Sequence, residues 1–559
     1  MNIKTKEPRN SDYLTRWGHL KTERATWWAH WKELSDNLLP RSGRFFIQDR
    51  NRGNRRHNNI YDNTGTRALH VLAAGMMSGM TSPARPWFRL STGDQELDSY
   101  YPVKVWLSDC SNLIHRIFQR SNTYRSLHTI YQELGVFGTA AAIVVPDFKN
   151  VIHHHPLTTG EYCVAANWKG MVDVLYREFQ KTVRELVTEF GYKNCSKAVQ
   201  SLYDRGSLES WVTIVHAIEP RSDRDASKRD SKNMPFRSVY FELGGDPDKV
   251  LRESGFRRFR ALCPRWAVAG GDVYGHSPGM EALGDIKQLQ HEQLRKSQGI
   301  DYKTNPPIQV PVQMKSRDVE RLPGGVSYVD MSGSSQAIKT AFEVNLDLSH
   351  LLADIQDVRE RIRGSFYADL FLMLANSSNP NMTATEVAER HEEKLLLLGP
   401  VLERLQNELL DPLIEMTFDQ VLEHGLVPPP PKELHGRPLN VELVSMLAQA
   451  QRAVATNSID RFVGNLGAVA QFKPEVLDKF DADRWADLYS DALGLDPTIM
   501  LPPEQVDAIR QQRAQAAQQQ MQAQQAEQQA NTLAKLSASD TSGENALTDI
   551  TNAFSGYTT

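Results

Sequence analysis

The feature that most restricts how this chain can fold is a pair of long helical patterns separated by a short insert. Between Glu281 and Ser297 the apolar residues Leu283, Ile286, Leu289 and Leu294 form one narrow stripe, while Lys287, Gln290, His291, Gln293 and Lys296 stay polar. The second pattern runs from Leu348 through Leu351, Ile355, Val358, Ile362, Phe366, Leu370 and Met373 at three- and four-residue steps, the period of one helix face. It predicts a continuous rod of about 28 residues, roughly 40 Å long. A rod with one apolar stripe needs a neighbour to cover that stripe.

The insert between the rods is punctuated differently. Asn305, Pro306, Pro307 and Pro311, then Pro323, Gly324 and Gly325, surround the short runs Ile308–Val312 and Val326–Val329, which read as strands and turns. After the second rod, Asn376 to Met382 cannot continue a helix, and Thr383-Ala-Thr-Glu386 is a capping box that starts a new one. This third helix carries Val387, Leu395, Leu398, Leu402, Leu405, Leu409, Leu413 and Met416 toward Gly425, with Pro400 and Pro412 interrupting it.

A chain of 559 residues can bury several cores and is expected to hold more than one domain. At 40% hydrophobic and 24% charged it reads as a folded protein, without an apolar run near the ~18–20 residues that cross a bilayer. Met1 to Pro8 lacks the apolar core of a secretory signal. Cys110, Cys163, Cys195 and Cys263 have no paired spacing and read as reduced buried thiols. Lys plus Arg number 64 against 68 Asp plus Glu, a formal charge of -4, so contact with nucleic acid has to be local or weak.

In chain order, Tyr13 to Leu39 is an aromatic helix whose Trp27, Trp28 and Trp31 suit core or subunit packing better than a ligand box. A second helix opens after Asp62 or Asn63, either of which is placed to cap it, and Ser82 to Phe88 turns toward a strand. Val103 to Leu134 holds two more helical segments. Gly135 to Val145 closes a helix and starts a strand, and lacks the lysine and hydroxyl of a phosphate-binding loop. Strands are expected at Val172–Arg177, Trp211–Ala217 and Arg237–Leu243, with a helix near Thr182–Phe190. The mixed-charge stretch Arg221 to Lys232 reads as a solvated loop. The prolines of 427–431 mark a boundary, beyond which helices are expected at Val441–Ala455, Ile459–Val469 and Asp483–Leu493. A Gln- and Ala-rich helix then runs from Pro502 to about Leu536, with so little apolar stripe that packing in an oligomer and a partly frayed arm are equally open. The last residues, rich in Ser, Thr and Gly, read as disordered.

Signs of catalysis are weak. His153, His154 and His155 are adjacent, so on a strand they alternate faces, and no carboxylate or thiol stands at ligand spacing beside them. Glu386, Glu389, Glu392 and Glu393 fall in the first turns of one helix, where negative charge is favourable. No nucleophile with its base, two-metal acidic cluster or nucleotide fingerprint stands out, and no metal or cofactor is expected.

Several blocks together carry a likeness. They are Trp27 to Pro40 followed by Gly43-Arg-Phe45, Tyr61 to Thr66 leading to Pro86-Trp-Phe88, Phe137-Gly-Thr-Ala140, Tyr274 to Leu283, and Val441-Glu-Leu with Ala448 to Arg452. Their order and spacing from residue 27 to about 455 resemble the head-to-tail connecting (portal) proteins of short-tailed, T7-like bacteriophages. That resemblance implies a mainly α fold with a mixed α/β wing, the viral portal fold of wing, stem, clip and crown in a cyclic oligomer, typically of twelve subunits, around a DNA channel. On that plan residues 1–273 are wing, 274–300 the first stem helix, 301–345 the clip, and 346–375 the second stem helix. Residues 376–382 are the tunnel loop, 383–431 a long bent wing helix, 432–536 the crown with its Gln-rich arm, and 537–559 a tail.

The implied function is a ring at one capsid vertex through which double-stranded DNA is packaged and ejected. Its partners would be further copies of the chain, the terminase motor, tail adaptor proteins, and major capsid and scaffolding proteins. Its location would be the virion, and the host cytoplasm during assembly, with no membrane. Asn376, Ser377, Ser378, Asn379 and Asn381 would form the tunnel loop. Lys287, Arg295, Lys296, Lys303, Lys315, Arg317 and Lys339 are the basic residues placed for channel or clip contacts, against the ordinary reading of solvated faces or salt bridges. Asp354, Asp357, Arg359, Glu360, Arg361 and Arg363 suit pairing between subunits. Two other readings stay open on the residues alone: a packaging-associated DNA-processing enzyme, and a tail adaptor or internal scaffold.

Overall fold

The computed structural model describes residues 9–45, 60–94, 97–98, 100–225, 227–228, 230–304, 308–309, 339–340, 349–375, 398–434, 439–443, 462–470, 472–486, 501 and 503–537. The chain forms two compact units, residues 1–95 with 106–480, and residues 96–105 with 481–559.

The first unit starts with α1 (Asn10–Leu38) and α2 (Thr64–Met80), followed by β1 (Phe88–Ser91). Next come α3 (Tyr101–Arg120), which enters this unit at Trp106, and α4 (Thr123–Phe137), the two segments expected between Val103 and Leu134. Gly138 ends α4 at φ 71, and a Cβ there would stand 2.1 Å from the Gly275 carbonyl oxygen, so both the left-handed turn and the close approach require glycine.

Two antiparallel sheets follow. In the smaller, β2 (Ala141–Asp147) lies between β3 (Val151–Leu157) and the short β9 (Ala261–Leu262). The larger has five strands in sequence order: β4 (Tyr162–Ala166), β5 (Val172–Thr182), β6 (Trp211–Pro220), β7 (Phe236–Glu242) and β8 (Arg252–Phe256). Between β5 and β6 lie α5 (Val183–Phe190), started by the Thr182/Glu185 capping box, and α6 (Lys197–Asp204).

Because side chains alternate along a strand, the large sheet has two distinct faces. Val174, Tyr176, Val215, Ala217, Val239 and Phe241 make one core with Tyr13, Trp17 and Leu20 of α1. Each large apolar side chain covered in this way contributes about 1.5–3 kcal/mol. On the other face, Val183, Leu186 and Phe190 of α5 pack with Ile214, Val199 and Leu251. The tryptophans of α1 are packing residues too. Trp31 is buried, 4.9 Å from the Tyr274 ring, and Trp28 meets Phe45 edge-on at 5.2 Å.

His154 is buried on the opposite face of β3 from His153 and His155 and bonds the Thr123 hydroxyl at 2.8 Å, while the other two rings lie 4.8 Å apart. Burial pushes the His154 ring down to about 3, so it is neutral. The charged stretch after β6 is not simply solvated, contrary to expectation. Arg221 is buried against Glu253 at 2.8 Å, a partner supplied by β8.

The long helices come next: α7 (Pro278–Thr304), the paired two-residue strands β10 (Ile308–Gln309) and β11 (Lys339–Thr340), α8 (Ser349–Ser365) and α9 (Ala368–Ala375). The rod expected to run unbroken through residue 375 is interrupted at Phe366 and Tyr367. The third helix is described from residue 398, passes through a π turn at Gln406–Leu410 and continues as α10 (Asp411–Glu423). Pro412 explains the change of winding, since it has no N–H to give the carbonyl one turn back. The start of that helix at 383–397 lies outside the described residues.

Where a helix was expected from Val441, Asn440–Leu443 is strand β12, paired antiparallel with β1. Arg89 and Glu442 face each other across this pair at 2.8 Å. A helix at 462–470 matches the one expected from Ile459 to Val469, and 482–486 is the described part of the one expected from Asp483.

In the second unit, α11 (Pro503–Ser537) is one uninterrupted helix. Arg510 pairs with Asp483 through both carboxylate oxygens at 2.7 Å. Residues 510–529 are all exposed, as a helix without an apolar stripe should be. The tail from 538 onward lies outside the described residues.

Candidate functional site

The two rods form an antiparallel pair whose halves differ sharply. On α7 the buried residues are Pro278, Gly279, Ala282, Leu283, Ile286, Leu289 and Gln290, all in its first half. On α8 they are Ile355, Val358 and Ile362, and Phe366 just beyond is fully buried. The far half is uncovered. No residue of α7 from 291 to 304 is buried, Ile300 is 40% exposed and Tyr302 50%, and Leu352 on α8 is 45% exposed.

Asp62 fastens the covered half. Its Oδ1 accepts from the Thr64 backbone N–H at 2.8 Å and the Thr64 hydroxyl at 2.5 Å, which anchors the start of α2. Its Oδ2 accepts from Arg359 of α8 at 2.7 Å and Gln293 of α7 at 3.1 Å. Gln290 completes the clamp, accepting from the N–H groups of Tyr61 and Asp62 at 2.6 and 2.8 Å and donating to the Asp62 carbonyl at 2.8 Å. Burial alone would raise the Asp62 carboxyl, but hydrogen bonds from Thr64 and Arg359 outweigh it and hold the pKa below the usual range. Asn63, the residue that flanks the helix, makes no capping bond, so the anchoring falls to its neighbour.

The break between α8 and α9 turns the chain back onto α2. Tyr367 has φ 53, a left-handed conformation costly for a residue with a Cβ, and its ring lies 6.3 Å from that of Trp266. The turn brings Phe371 against Gly75 of α2, where a Cβ would stand 2.1 Å from the ring. Glycine makes this notch.

A second fastening ties the sheets to the π turn. Arg265 is almost fully buried and donates to Glu408 from its backbone N–H at 2.9 Å, from Nε at 3.2 Å and from a terminal nitrogen at 2.5 Å, and to the Gly170 carbonyl at 2.6 Å. A buried guanidinium held this way is strongly dependent on its partner. Sequence reasoning missed it because the two residues are 143 apart and no local pattern links them.

The residues expected to contact DNA or neighbouring subunits are placed as follows. Asn376, Ser377, Ser378, Asn379 and Asn381, with Lys315 and Arg317, lie outside the described residues, and so does the side chain of Lys339 on β11. Lys287 is exposed and donates to Glu33 of α1 at 2.6 Å. Arg295 is exposed and reaches only along its own helix, to His291 at 3.4 Å and Gln298 at 3.3 Å. Lys296 is half-buried and Lys303 exposed, both on the uncovered half of α7.

Of the residues expected to pair between subunits, Arg359 binds Asp62, and Arg361 joins Asp285 of α7 at 3.2 Å to Asp357 of its own helix at 3.3 Å. Both guanidiniums therefore have partners in their own chain, because α7 and α2 present carboxylates at the covered half. Glu360 accepts from Gln356 at 3.1 Å. Asp354 hydrogen-bonds Glu292 of α7, whose pKa is raised by burial first and by Asp354 in addition, against a bond from Gln288. Arg363 is exposed in the last turn of α8. The chemistry brought together among the described residues is that of ion pairs and amide hydrogen bonds, which fasten rather than make or break bonds.

Comparison with known proteins gives this arrangement its context. The family model for bacteriophage head to tail connecting proteins matches residues 10–501, more than the blocks at 27–455 that carried the likeness. A protein named "Probable portal protein" from Bordetella phage BPP-1 is 67% identical over 545 residues, covering 98% of each chain. The portal protein of Salmonella phage epsilon15 is 47% identical over 541 residues, covering 97% of each. Among solved structures, a chain from the neck of an empty gene transfer agent particle, computed with C6 symmetry, is similar at 13% identity and TM-score 0.37, over 78% of this chain and 91% of that one. A chain of the native gene transfer agent virion is similar at 12% identity and TM-score 0.32, over 76% and 99%. With a family model spanning nearly the whole chain and two full-length relatives at high identity, this chain belongs to the bacteriophage head to tail connecting proteins.

Proposed function

We propose that this chain is the portal subunit of a phage particle, one of a ring of copies, typically twelve, set at a single capsid vertex. The observation that carries this reading is the half-covered rod pair. A helix pair that belonged wholly to one globular chain would bury its apolar stripe along its length, whereas the buried residues of α7 and α8 lie only between 278 and 290 and between 355 and 366. The uncovered half, with Ile300, Tyr302 and Leu352, is the surface that neighbouring copies would complete.

In this reading α7 and α8 are the stem, residues 301–345 the clip, 376–382 the tunnel loop and 432–536 the crown. The ring encloses a bore through which double-stranded DNA passes during packaging and ejection. Its clip docks the terminase motor and later the tail adaptor, and its outer surface meets major capsid and scaffolding proteins. A channel that moves a whole genome must hold no phosphate tightly, because each strong contact is a barrier to the next step. The formal charge of -4 suits such a surface. Short polar side chains at Asn376, Ser377, Ser378, Asn379 and Asn381 would touch the duplex by hydrogen bonding without accumulating positive charge. Lys296, Lys303 and Arg295, on the uncovered half of α7, are the described cations best placed near the bore or the clip. Asp354, Glu360 and Arg363 are the charges left to pair across the subunit boundary. No reaction is assigned to the chain, and its relatives are named for a structural role.

Electron microscopy of the purified protein tests the ring directly. Rings with an axial hole and a narrow stem are the expected result, and a preparation of monomers or filaments would overturn it. Deleting Asn376–Asn381 should leave rings intact and impair packaging or genome retention; rings that fail to form would remove the loop assignment.

A further inference from the structure

The face of the large sheet turned away from α1 carries a row of side chains that the portal reading does not use. The register sets Arg177 of β5 opposite His216 of β6, His216 opposite Tyr240 of β7, and Tyr240 opposite Arg252 of β8. All four point away from the α1 core, because their neighbours Tyr176, Ala217 and Val239 point into it. His216 stacks on Tyr240 at 3.9 Å and 5°, and Arg252 covers the same ring at 4.8 Å. Arg177, His216 and Tyr240 of this row line a half-open cavity of about 430 Å³, together with Ile143, Val145 and His155 of the small sheet.

The charges around the cavity are accounted for, with one exception. Arg44 meets Glu161 at 3.4 Å, Glu178 meets Lys21 at 3.7 Å on the opposite face, Lys181 pairs with Glu189, and Glu185 closes the cap of α5. Arg177 has no hydrogen-bond or ion-pair partner at contact distance among the described residues, and Glu161, already held by Arg44, offsets its burial only in part. Its Nε is sealed from water and meets no acceptor among the described residues, and the guanidinium rests 4.5 Å from the Phe179 ring. His216 offers no compensating charge. Burial, with Arg177 and Arg252 on its two sides, holds its pKa far below the ordinary histidine value.

A planar fork of N–H donors in a half-open cavity, with its desolvation only partly offset, matches the geometry of an oxyanion. We propose that the cavity between the two sheets binds a small oxyanion, a phosphate or the carboxylate of a small acid, through Arg177. The ion would accept from the two terminal nitrogens of the fork, which unlike Nε are not sealed from the cavity, with the His216–Tyr240 stack as the floor beneath it. Arg44 and Lys181 stand at the rim but are already paired, so Arg177 governs affinity.

The test is titration calorimetry of the full-length protein with inorganic phosphate and, separately, acetate, in a buffer free of other oxyanions. Saturable binding of at least one is expected; phosphate alone identifies a tetrahedral guest, and acetate a planar one. Arg177→Gln should weaken it by at least tenfold, about 1.4 kcal/mol. Arg177→Lys, which keeps the charge but loses the fork, should fall between. Circular dichroism of both variants shows whether the sheet is retained, and the Lys variant keeps the test open if the Gln variant does not fold. Absence of saturation by both ions in the wild-type protein, or equal affinity in wild type and a folded variant, would overturn the site. So would loss of rings in Arg177→Gln without any phosphate or acetate binding by the wild type, because the guanidinium would then serve a second copy of the chain.

Discussion

The two sheets and the paired helices α7 and α8 solve the same problem in opposite ways. The large sheet is covered on one face by α1 and in part on the other by α5, and charges buried at and beside the sheets are paired within the chain, Arg221 with Glu253 and Arg265 with Glu408, Arg177 being the exception. The helix pair is closed for half its length and bare for the rest. Folding and assembly are therefore assigned to different parts of the molecule. The sheets and the covered half are fastened within the chain, and in the proposed ring the apolar surface of the bare half is what a neighbouring copy would bury.

The contrast can be broken most severely at Glu408. Replacing it with Ala leaves Arg265 buried and unpaired, and a loss of about 3–5 kcal/mol in urea unfolding is expected. A loss below about 1 kcal/mol would mean that the sheets do not depend on their internal ion pairs.

The next effect in size is a pH dependence. Glu133 of α4 is fully buried, and although it accepts from the Thr158 hydroxyl at 2.7 Å and from Thr159 N–H at 3.2 Å, burial raises its pKa to about 7. The folded chain therefore binds this proton more tightly than the unfolded chain does. The contribution is fully present below the unfolded value of 4.5 and is lost as pH rises through 7. At about 1.4 kcal/mol per unit this is on the order of 3 kcal/mol. Unfolding midpoints should fall between pH 4.5 and 7 for the wild type and run flatter for Glu133→Gln; parallel curves would assign the slope to other groups.

A smaller cost, about 1–3 kcal/mol, is expected for Gly75→Ala, whose new methyl occupies the place of the Phe371 ring. Protease digestion should then cut near α9 sooner than in the wild type, while the sheets remain protected. The smallest change in single-chain stability, within about 0.5 kcal/mol, is expected for the pair Ile300→Ser and Tyr302→Ser, because both side chains are already exposed. The same pair should sharply reduce the fraction of rings in micrographs. A variant that is destabilised yet assembles normally would invert the comparison.

Much of this architecture is legible in the chain because helix periodicity is a local property. The stripe Leu283, Ile286, Leu289 and the run Ile355, Val358, Ile362 locate both rods and their buried faces without any structure. What escapes is whatever depends on distant residues. Val441 to Leu443 fits a helix pattern as well as a strand, and only β1 decides the matter. The break at Tyr367 follows directly on Gly364-Ser365, a local signal that the apolar periodicity overrode, and it sets Phe371 into the notch at Gly75. Arg221 reads as a loop residue until β8 supplies Glu253. Asp62 was legible as a cap, but its grip on Arg359 and Gln293 was not, because those partners come from two other helices.

The pairing of β1 with β12 has a further consequence, for the order of events on the ribosome. Arg89 and Glu442 are 353 residues apart, so an early-made strand waits for a partner that emerges roughly 20–70 s later at ~5–20 residues per second. During that interval one edge of the nascent chain is open to any extended segment nearby, including the matching strand of another copy. Closure of this body therefore waits until most of the chain has been made, and subunits recruited into a ring would be those in which the early and late strands of the same chain have already met.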